Sequence, residues 1–287
     1  MTKVLSLYSG GLDSRLIVKI LKKKGLDVTA IHYQLPFISE KEINDDFLKD
    51  EQVDLVIIDC KKGDYLREYL AMLKQPKYGT GTGMNPCIDC KIFMFEKAKQ
   101  YAVDYGYGSI ATGEVPGQRP MSQLKHAQGL IDKNVDFPII RPLAELGING
   151  RGRDRQMELV KKYGGFHFPT PAGGCLLCEK TMAKRFQKYL EYDLIDEKTI
   201  ALMKVGRHFL DEESGQWAIV ARNGDESEIL EKYDNCLESA PQTPAVWYST
   251  INKGPDRFLR QFAQELQSAY ITGQDKSLRE KFADLKL

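Results

Sequence analysis

Short apolar runs alternate along the first two-thirds of the chain with stretches in which apolar residues recur every three or four positions. The runs at 3–8, 28–33, 53–59 and 108–112 are rich in Val, Ile, Leu and Thr and are predicted strands, and a short fifth lies near 138–141. The segments 15–24, 64–73, 92–105 and 179–192 have helical periodicity, the polar stretch 40–50 is predicted helical, and a helix to about Tyr163 opens within 150–156. Strands alternating with helices predict an α/β domain with a parallel sheet and helices on both faces. After about residue 195 the texture changes. Residues 204–210 and 216–221 form a predicted β-hairpin, a helix follows at 224–233, and the tail is helical towards Tyr270. The expected organisation is a catalytic domain at 1–194 and a small α+β module with its tail at 195–287.

Composition narrows the classes. In a chain of 287 residues, 42% are hydrophobic, which suffices for a real core in one or two domains. The net charge of +1 gives no global basic field, so any binding of nucleic acid falls to local basic segments. No apolar run is long enough to span a membrane and no signal peptide is legible, so the expected location is cytoplasmic. In that compartment six cysteines point to ligands or catalysts rather than disulfides.

The strongest local signal is Ser9-Gly10-Gly11-Leu12-Asp13-Ser14, between the first strand and the first helix. Two glycines allow a tight turn and close approach to a ligand. The helix N-terminus offers unpaired N–H groups and a partial positive charge that suit phosphate, and the two serines add hydroxyl donors. A carboxylate beside phosphate is repelled unless a cation lies between, so Asp13 implies Mg²⁺. The Walker pattern and the dinucleotide fingerprint are both absent. In a parallel sheet, ligands sit beyond the C-terminal strand ends, which places Ile31 and the residues after it at the expected adenine edge.

Two C-x-x-C pairs follow, Cys87/Cys90 and Cys175/Cys178, both expected on loops. Four converging thiolates fit structural zinc or an iron–sulfur cluster, and metal-free persulfide chemistry is a third reading. Spacing alone ranks zinc first. Cys60 ends a strand and is expected in the core, and Cys236 has no motif around it. Arg151, Arg153 and Arg155 form a dense cation patch whose plainest role is solvation or pairing with acids.

The loop Ser9–Ser14 resembles the pyrophosphate (PP) loop of the ATP pyrophosphatase superfamily. With it, the runs 85–91, 111–123 and 171–177 resemble the tRNA thiouridine synthetases and thiouridylases, in a compact branch with an appended RNA-binding module. Residues 205–209 and 220–226 resemble that module, while the tail has no counterpart. The resemblance implies ATP-dependent thiolation of a tRNA uridine. Ser9, Gly10, Gly11, Leu12, Asp13 and Ser14 would hold the pyrophosphate of ATP, with Mg²⁺ on Asp13, and Thr112, Gly113 and Gln118 would line the nucleotide site. Cys87, Cys90 and Cys175 would hold a [4Fe–4S] cluster, with Zn²⁺ the alternative, and Cys178 would be a fourth ligand or a persulfide thiol. Asp13, Cys175 and Cys178 are the expected catalytic residues. Arg119, Arg151, Arg153, Arg155 and Lys184 are the candidates for tRNA phosphates. The implied partners are tRNA and a sulfide or persulfide donor, and a homodimer is compatible. The rival readings are a zinc-containing ATP pyrophosphatase acting on a small molecule, and a non-catalytic RNA-binding protein.

Overall fold

The computed structural model describes residues 2–38, 46–81, 83–119, 121–169, 174–251 and 258–287, which divide into two compact units, Met1–Cys178 and Glu179–Leu287. In the first unit the chain runs β1 (Lys3–Leu7), α1 (Leu12–Lys23), β2 (Asp27–Gln34), α2 (Asp46–Asp50), β3 (Asp54–Asp59), α3 (Gly63–Lys74) and α4 (Cys87–Tyr105). It continues through β4 (Ser109–Ala111), α5 (Lys125–Val135), β5 (Ile139–Ile140), α6 (Pro142–Glu145) and α7 (Asp154–Lys162) to a short 3-10 turn, Leu176–Cys178. All five strands are parallel, in the order β3-β2-β1-β4-β5. The order reverses at β1, which pairs with β2 on one side and β4 on the other. That reversal opens a crevice beyond the C-terminal end of β1, where the Ser9–Ser14 loop begins.

The pleat divides the apolar residues between two layers. Val4, Val28 and Ala30 join Leu16, Ile17, Ile20 and Leu21 of α1, Leu143 of α6 and Val160 of α7 in one buried cluster. Leu5 and Ile31, one step along their strands, are fully buried on the opposite side. Helices α3, α4 and α5 pack with one another there. Burial on both faces explains why these strands read as apolar runs rather than as alternation.

The second unit comprises α8 (Lys180–Glu191), α9 (Glu197–Met203), β6 (Arg207–Asp211), β7 (Gln216–Val220), α10 (Gly224–Leu230), β8 (Cys236–Leu237), β9 (Val246–Thr250), α11 (Leu259–Ala269) and a 3-10 segment Lys276–Phe282. Its sheet is antiparallel, in the order β6-β7-β9-β8. Phe209, Ala218, Val220 and Val246 face α11 and Phe282. On the alternate face, Trp217 meets Trp247 edge-on at 4.9 Å and Tyr189 of α8 at 4.8 Å. The buried Arg185 of α8 donates to the carbonyls of Met203 (3.1 Å) and Gly206 (3.2 Å). These contacts tie α8 to the second unit, so the compact units divide after Cys178, whereas the pattern of hydrophobicity places the boundary at 194.

Two further differences from the sequence reading matter. Helix α4 begins at Cys87 rather than near 92, because Pro86 starts it and the Asp89 carboxylate accepts the N–H groups of Lys77 (2.9 Å) and Tyr78 (3.0 Å). The sequence reads the tail only as helical towards Tyr270, whereas Val246–Thr250 forms β9 inside the second sheet. The start of the predicted helix 40–50 and the proline–glycine turn 170–173 lie outside the described residues. No described helix is long and apolar enough to cross a membrane.

Candidate active site

Gly10 turns the chain with φ of 72°, in the left-handed region glycine tolerates, and Gly11 caps α1 without any side-chain hydrogen bond. The first-turn N–H groups of α1 therefore have no capping side chain. The Ser14 hydroxyl donates to the Gly11 carbonyl at 2.9 Å, and the Ser9 hydroxyl to Ser14 Oγ at 3.4 Å, which holds the turn closed. Ser9 is exposed, while Gly10, Leu12 and Ser14 are buried.

Asp13 sits in this first turn with a buried Oδ1 that has no hydrogen-bond partner. Burial pushes its carboxyl above the usual range, against the opposing pull of the Gln118 amide, the Arg153 guanidinium, the Gln156 amide and the Arg119 guanidinium. A buried carboxylate oxygen without a donor, beside free helix N–H groups, is the donor set expected where a hard cation meets phosphate. Gly113 packs directly on this residue, and a Cβ there would fall 2.8 Å from the carbonyl carbon of Asp13.

The loops around Asp13 are tied together by backbone. Thr112 N–H donates to Ile140 O (3.0 Å), Gly150 N–H to Pro116 O (2.8 Å) and Gly117 N–H to Gln123 O (2.9 Å). This lattice places Arg119 and Arg153, expected as contacts for RNA, within electrostatic reach of Asp13. Arg155 pairs instead with Glu158 at the surface (3.8 Å), and Arg151 is exposed. Lys184 belongs to the second unit, exposed and donating to Lys286 O at 3.2 Å. The side chain of Ile31 is fully buried and its carbonyl accepts the Tyr8 N–H at 2.8 Å. Its neighbour His32 is half-buried, with Nδ1 2.8 Å from Tyr8 O and its imidazole pK lowered by burial. Gln156 is a member of the site that no sequence signal singles out. It is fully buried, and its amide lies close enough to favour the Asp13 carboxylate while falling short of hydrogen-bond geometry.

The two cysteine pairs come from different kinds of backbone. Cys87 and Cys90 lie one turn apart at the start of α4, so both thiols share a helix face. Cys175 forms an isolated bridge with Ile38, just past β2, and Leu176 N–H donates to Phe37 O at 2.8 Å. Met84 N–H donates to Leu177 O at 3.0 Å, and a Cβ at Gly83 would collide with that same oxygen. The 83–90 and 175–178 segments are therefore packed backbone to backbone. Burial pushes the Cys175 thiol up to about 12, helped by the nearby Cys90, Cys178 and Cys87, although the Leu177 N–H pulls the other way. Burial likewise takes Cys90 up to about 11, and the buried Tyr69 hydroxyl lies 3.5 Å from its sulfur. Asn85 Nδ2 donates to Cys87 Sγ at 3.2 Å, and Cys178 is exposed. Cys60 is fully buried, as the sequence suggests, and burial, with Asp59 and then Cys90 nearby, pushes its thiol up to about 12. Among the described residues, no three His, Cys, Asp or Glu side chains stand in a metal-holding array.

Glu114 joins the two halves of the site. It follows Gly113, is 3% exposed, and pairs with Lys91 (3.2 Å), the residue after Cys90. Its other oxygen lies 3.6 Å from Arg141 Nε, whose guanidinium grips Asp132 through two bonds of 2.7 and 3.0 Å. The contacts thus run from Asp13 through Gly113 and Glu114 to the helix that carries two of the thiols.

A parallel sheet with a glycine turn, uncapped helix N–H groups and a carboxylate with one buried, unpartnered oxygen at its crevice defines a PP-loop-type α/β nucleotide-binding domain. The family model described as thiamine biosynthesis protein (ThiI) matches residues 1–178, and the chain belongs to that family. It is similar to a probable tRNA sulfurtransferase of Methanocaldococcus jannaschii, at 28% identity over 178 residues, covering 58% of this chain and 42% of that protein. It is also similar to a tRNA-specific 2-thiouridylase MnmA of Neisseria meningitidis, at 26% identity over 230 residues, covering 72% of this chain and 62% of that protein. A solved 4-thiouridine synthetase–RNA complex with bound ATP superposes with a TM-score of 0.45 at 20% identity, covering 69% of this chain and 53% of that one. The chain spans less than half the length of the M. jannaschii relative.

Proposed function

We propose that this protein is an ATP-dependent tRNA uridine thiolase. The observation that carries the reading is the Asp13 carboxylate at an uncapped helix N-terminus, with its buried Oδ1 unpartnered, linked through Gly113, Glu114 and Lys91 to the paired cysteines. In the proposed reaction the uracil carbonyl oxygen attacks the α-phosphorus of ATP and pyrophosphate leaves. A sulfide then adds to the ring carbon and the oxygen departs with AMP; with a persulfide donor the outer sulfur adds, and a second cysteine thiolate attacks the inner sulfur, so that the S–S bond breaks to release the thiolated base and a protein disulfide forms. Converting the carbonyl oxygen to a phosphoester turns a poor leaving group into a good one.

The chain's own residues divide the work. The α1 N–H groups, Ser9 and Ser14 cradle the pyrophosphate, and Asp13 is the residue that would hold Mg²⁺, which would offset phosphate charge. Arg119 and Arg153, beside Asp13, are suited to the triphosphate as well as to RNA phosphates. Thr112, Gly113 and Gln118 line the same crevice. Cys87, Cys90 and Cys175 have the donor chemistry for a [4Fe–4S] cluster, which when bound would supply a sulfur-binding iron, and Zn²⁺ is the alternative occupant. Cys178, exposed beside them, is the thiol best placed to carry or resolve a persulfide.

The test is ATP–pyrophosphate exchange with and without bulk tRNA, together with iron, sulfide and zinc content after anaerobic purification. Exchange that depends on tRNA supports the thiolase. Exchange indifferent to tRNA, in a protein holding one zinc and no iron, would replace it with the small-molecule enzyme.

A further inference from the structure

The second unit contains an open depression of about 300 Å³ lined by Arg207, Phe209, Tyr270, Arg279, Phe282 and Lys286, with Glu280 and Ala283 at its side. Its floor is aromatic, because the half-buried Tyr270, whose ring lies 5.6 Å from that of Phe209, is seated on the buried Phe209 and Phe282 core. Its walls are cationic. The guanidinium of Arg279 lies 4.7 Å from the centre of the Tyr270 ring, and that of Arg207 lies 5.3 Å from the same ring. Backbone fixes both further. Arg279 Nε donates to Ala269 O (3.2 Å), and Arg207 donates to Ala221 O (3.3 Å). Lys286 is held in place by the bridge it forms with Phe209.

None of these three cations forms an ion pair among the described residues, although surface cations elsewhere in this unit do. Lys188 pairs with Glu191 and Glu212, Arg222 with Glu226, and Lys281 with Glu265. Three cations against the single acid Glu280 leave a local excess of positive charge on a chain whose net charge is only +1. A guanidinium already stacked on an aromatic ring has lost part of its rotamer freedom, so it engages a phosphate with less further ordering. An aromatic floor beneath such cations matches a phosphodiester with its attached ribose and base better than it matches a free anion.

We propose that this depression is a phosphodiester-binding site for single-stranded RNA, recruiting the tRNA substrate through Arg207, Arg279 and Lys286. This rests on the tRNA reading given above. Most of the site comes from the tail, which supplies Tyr270, Arg279, Phe282 and Lys286 and has no counterpart in the resemblance.

The test uses the full chain and bulk tRNA, with binding followed by fluorescence anisotropy across a series of salt concentrations. The Arg279→Ala variant should bind roughly tenfold more weakly, with a salt slope shallower by about one counterion, as for loss of one phosphate contact. Glu280→Gln removes the one acid that lines the depression among the described residues and should tighten binding about twofold to threefold. ATP–pyrophosphate exchange at saturating tRNA should be unchanged in both, and near-ultraviolet dichroism of Trp217 and Trp247 reports folding of the unit. Wild-type affinity and slope in a folded Arg279→Ala protein, or equal competition by inorganic phosphate at matched ionic strength, would overturn the site while leaving the tRNA reading intact. A wild-type chain that binds no tRNA would overturn both.

Discussion

Replacing Gly113 with alanine probes the packing that fixes Asp13. The added Cβ would lie 2.8 Å from the carbonyl carbon of Asp13, 2.9 Å from its oxygen and 3.1 Å from its Cβ. Ordinary contact begins at 3.4 Å, so the two backbones must part by about 0.6 Å, the difference between 3.4 and 2.8. Neither side yields easily. Gly113 follows Thr112, whose N–H is bonded to Ile140 O, and Asp13 lies in the first turn of α1, whose Leu16 and Ile17 are fully buried. Overpacking of this kind costs about 1–3 kcal/mol. For a domain of this size that lowers the melting temperature by roughly 2–4 °C per kcal/mol. The functional loss should be larger than the loss of stability implies. A misplacement of about 1 Å can cost on the order of 100-fold in rate, so a half-ångström shift of Asp13 should reduce exchange at least about tenfold. The assay is ATP–pyrophosphate exchange on folded protein, with calorimetry alongside. Gly129→Ala is the control. That glycine lies inside α5 with nothing within 4 Å of an added Cβ, so the change should stabilise by about 0.5–1 kcal/mol and leave exchange alone. A Gly113→Ala protein with wild-type exchange would refute the claim that this contact positions Asp13.

Three further outcomes are expected. Burial raises the Asp13 carboxyl, so its ionisation destabilises the folded state progressively as pH rises above the unfolded value of 3.8; Asp13→Asn should therefore melt higher than wild type at neutral pH while losing exchange, and a lower melting temperature there would contradict the assignment. In metal-free protein, iodoacetamide should label exposed Cys178 well before Cys175 and Cys90, whose rates should climb as pH approaches about 12 and about 11, and peptide mass spectrometry after a short pulse decides the order. His208 is fully buried, with Nε2 2.9 Å from Val205 O, and burial drives its pK well below 6.5; the second unit should hold full stability above that pH and lose it below, at up to about 1.4 kcal/mol per pH unit, and urea titrations followed by tryptophan fluorescence that stay flat below this value would be inconsistent with a neutral buried imidazole.

The sequence by itself determined the features that depend on neighbours along the chain. The strand–turn–helix around Ser9–Ser14, the parallel α/β class and the hairpin of the second unit are all written in local periodicity and in where glycine falls. The two C-x-x-C pairs were visible as motifs, but spacing could not say that Cys87 and Cys90 open a helix, because the Asp89 bonds that start it there reach back to Lys77 and Tyr78. Helix α5 carries a glycine and scattered polar residues, and its pattern gave no signal. Gln156 looked like one more polar residue in an arginine-rich helix, and only the fold buries it beside Asp13. Glu114 stands in a recognisable motif, whereas its role as a link depends on Lys91 and Arg141 arriving from other elements. The tail shows the limit most clearly. Val246–Thr250 is five residues long with no strong boundary, yet it pairs with β7 on one side and β8 on the other, and its register with β7 sets Trp247 on the same face as Trp217. Only the tertiary structure decides such pairings, because the free energy that fixes them comes from surfaces the two segments bury together, and neither segment encodes that alone.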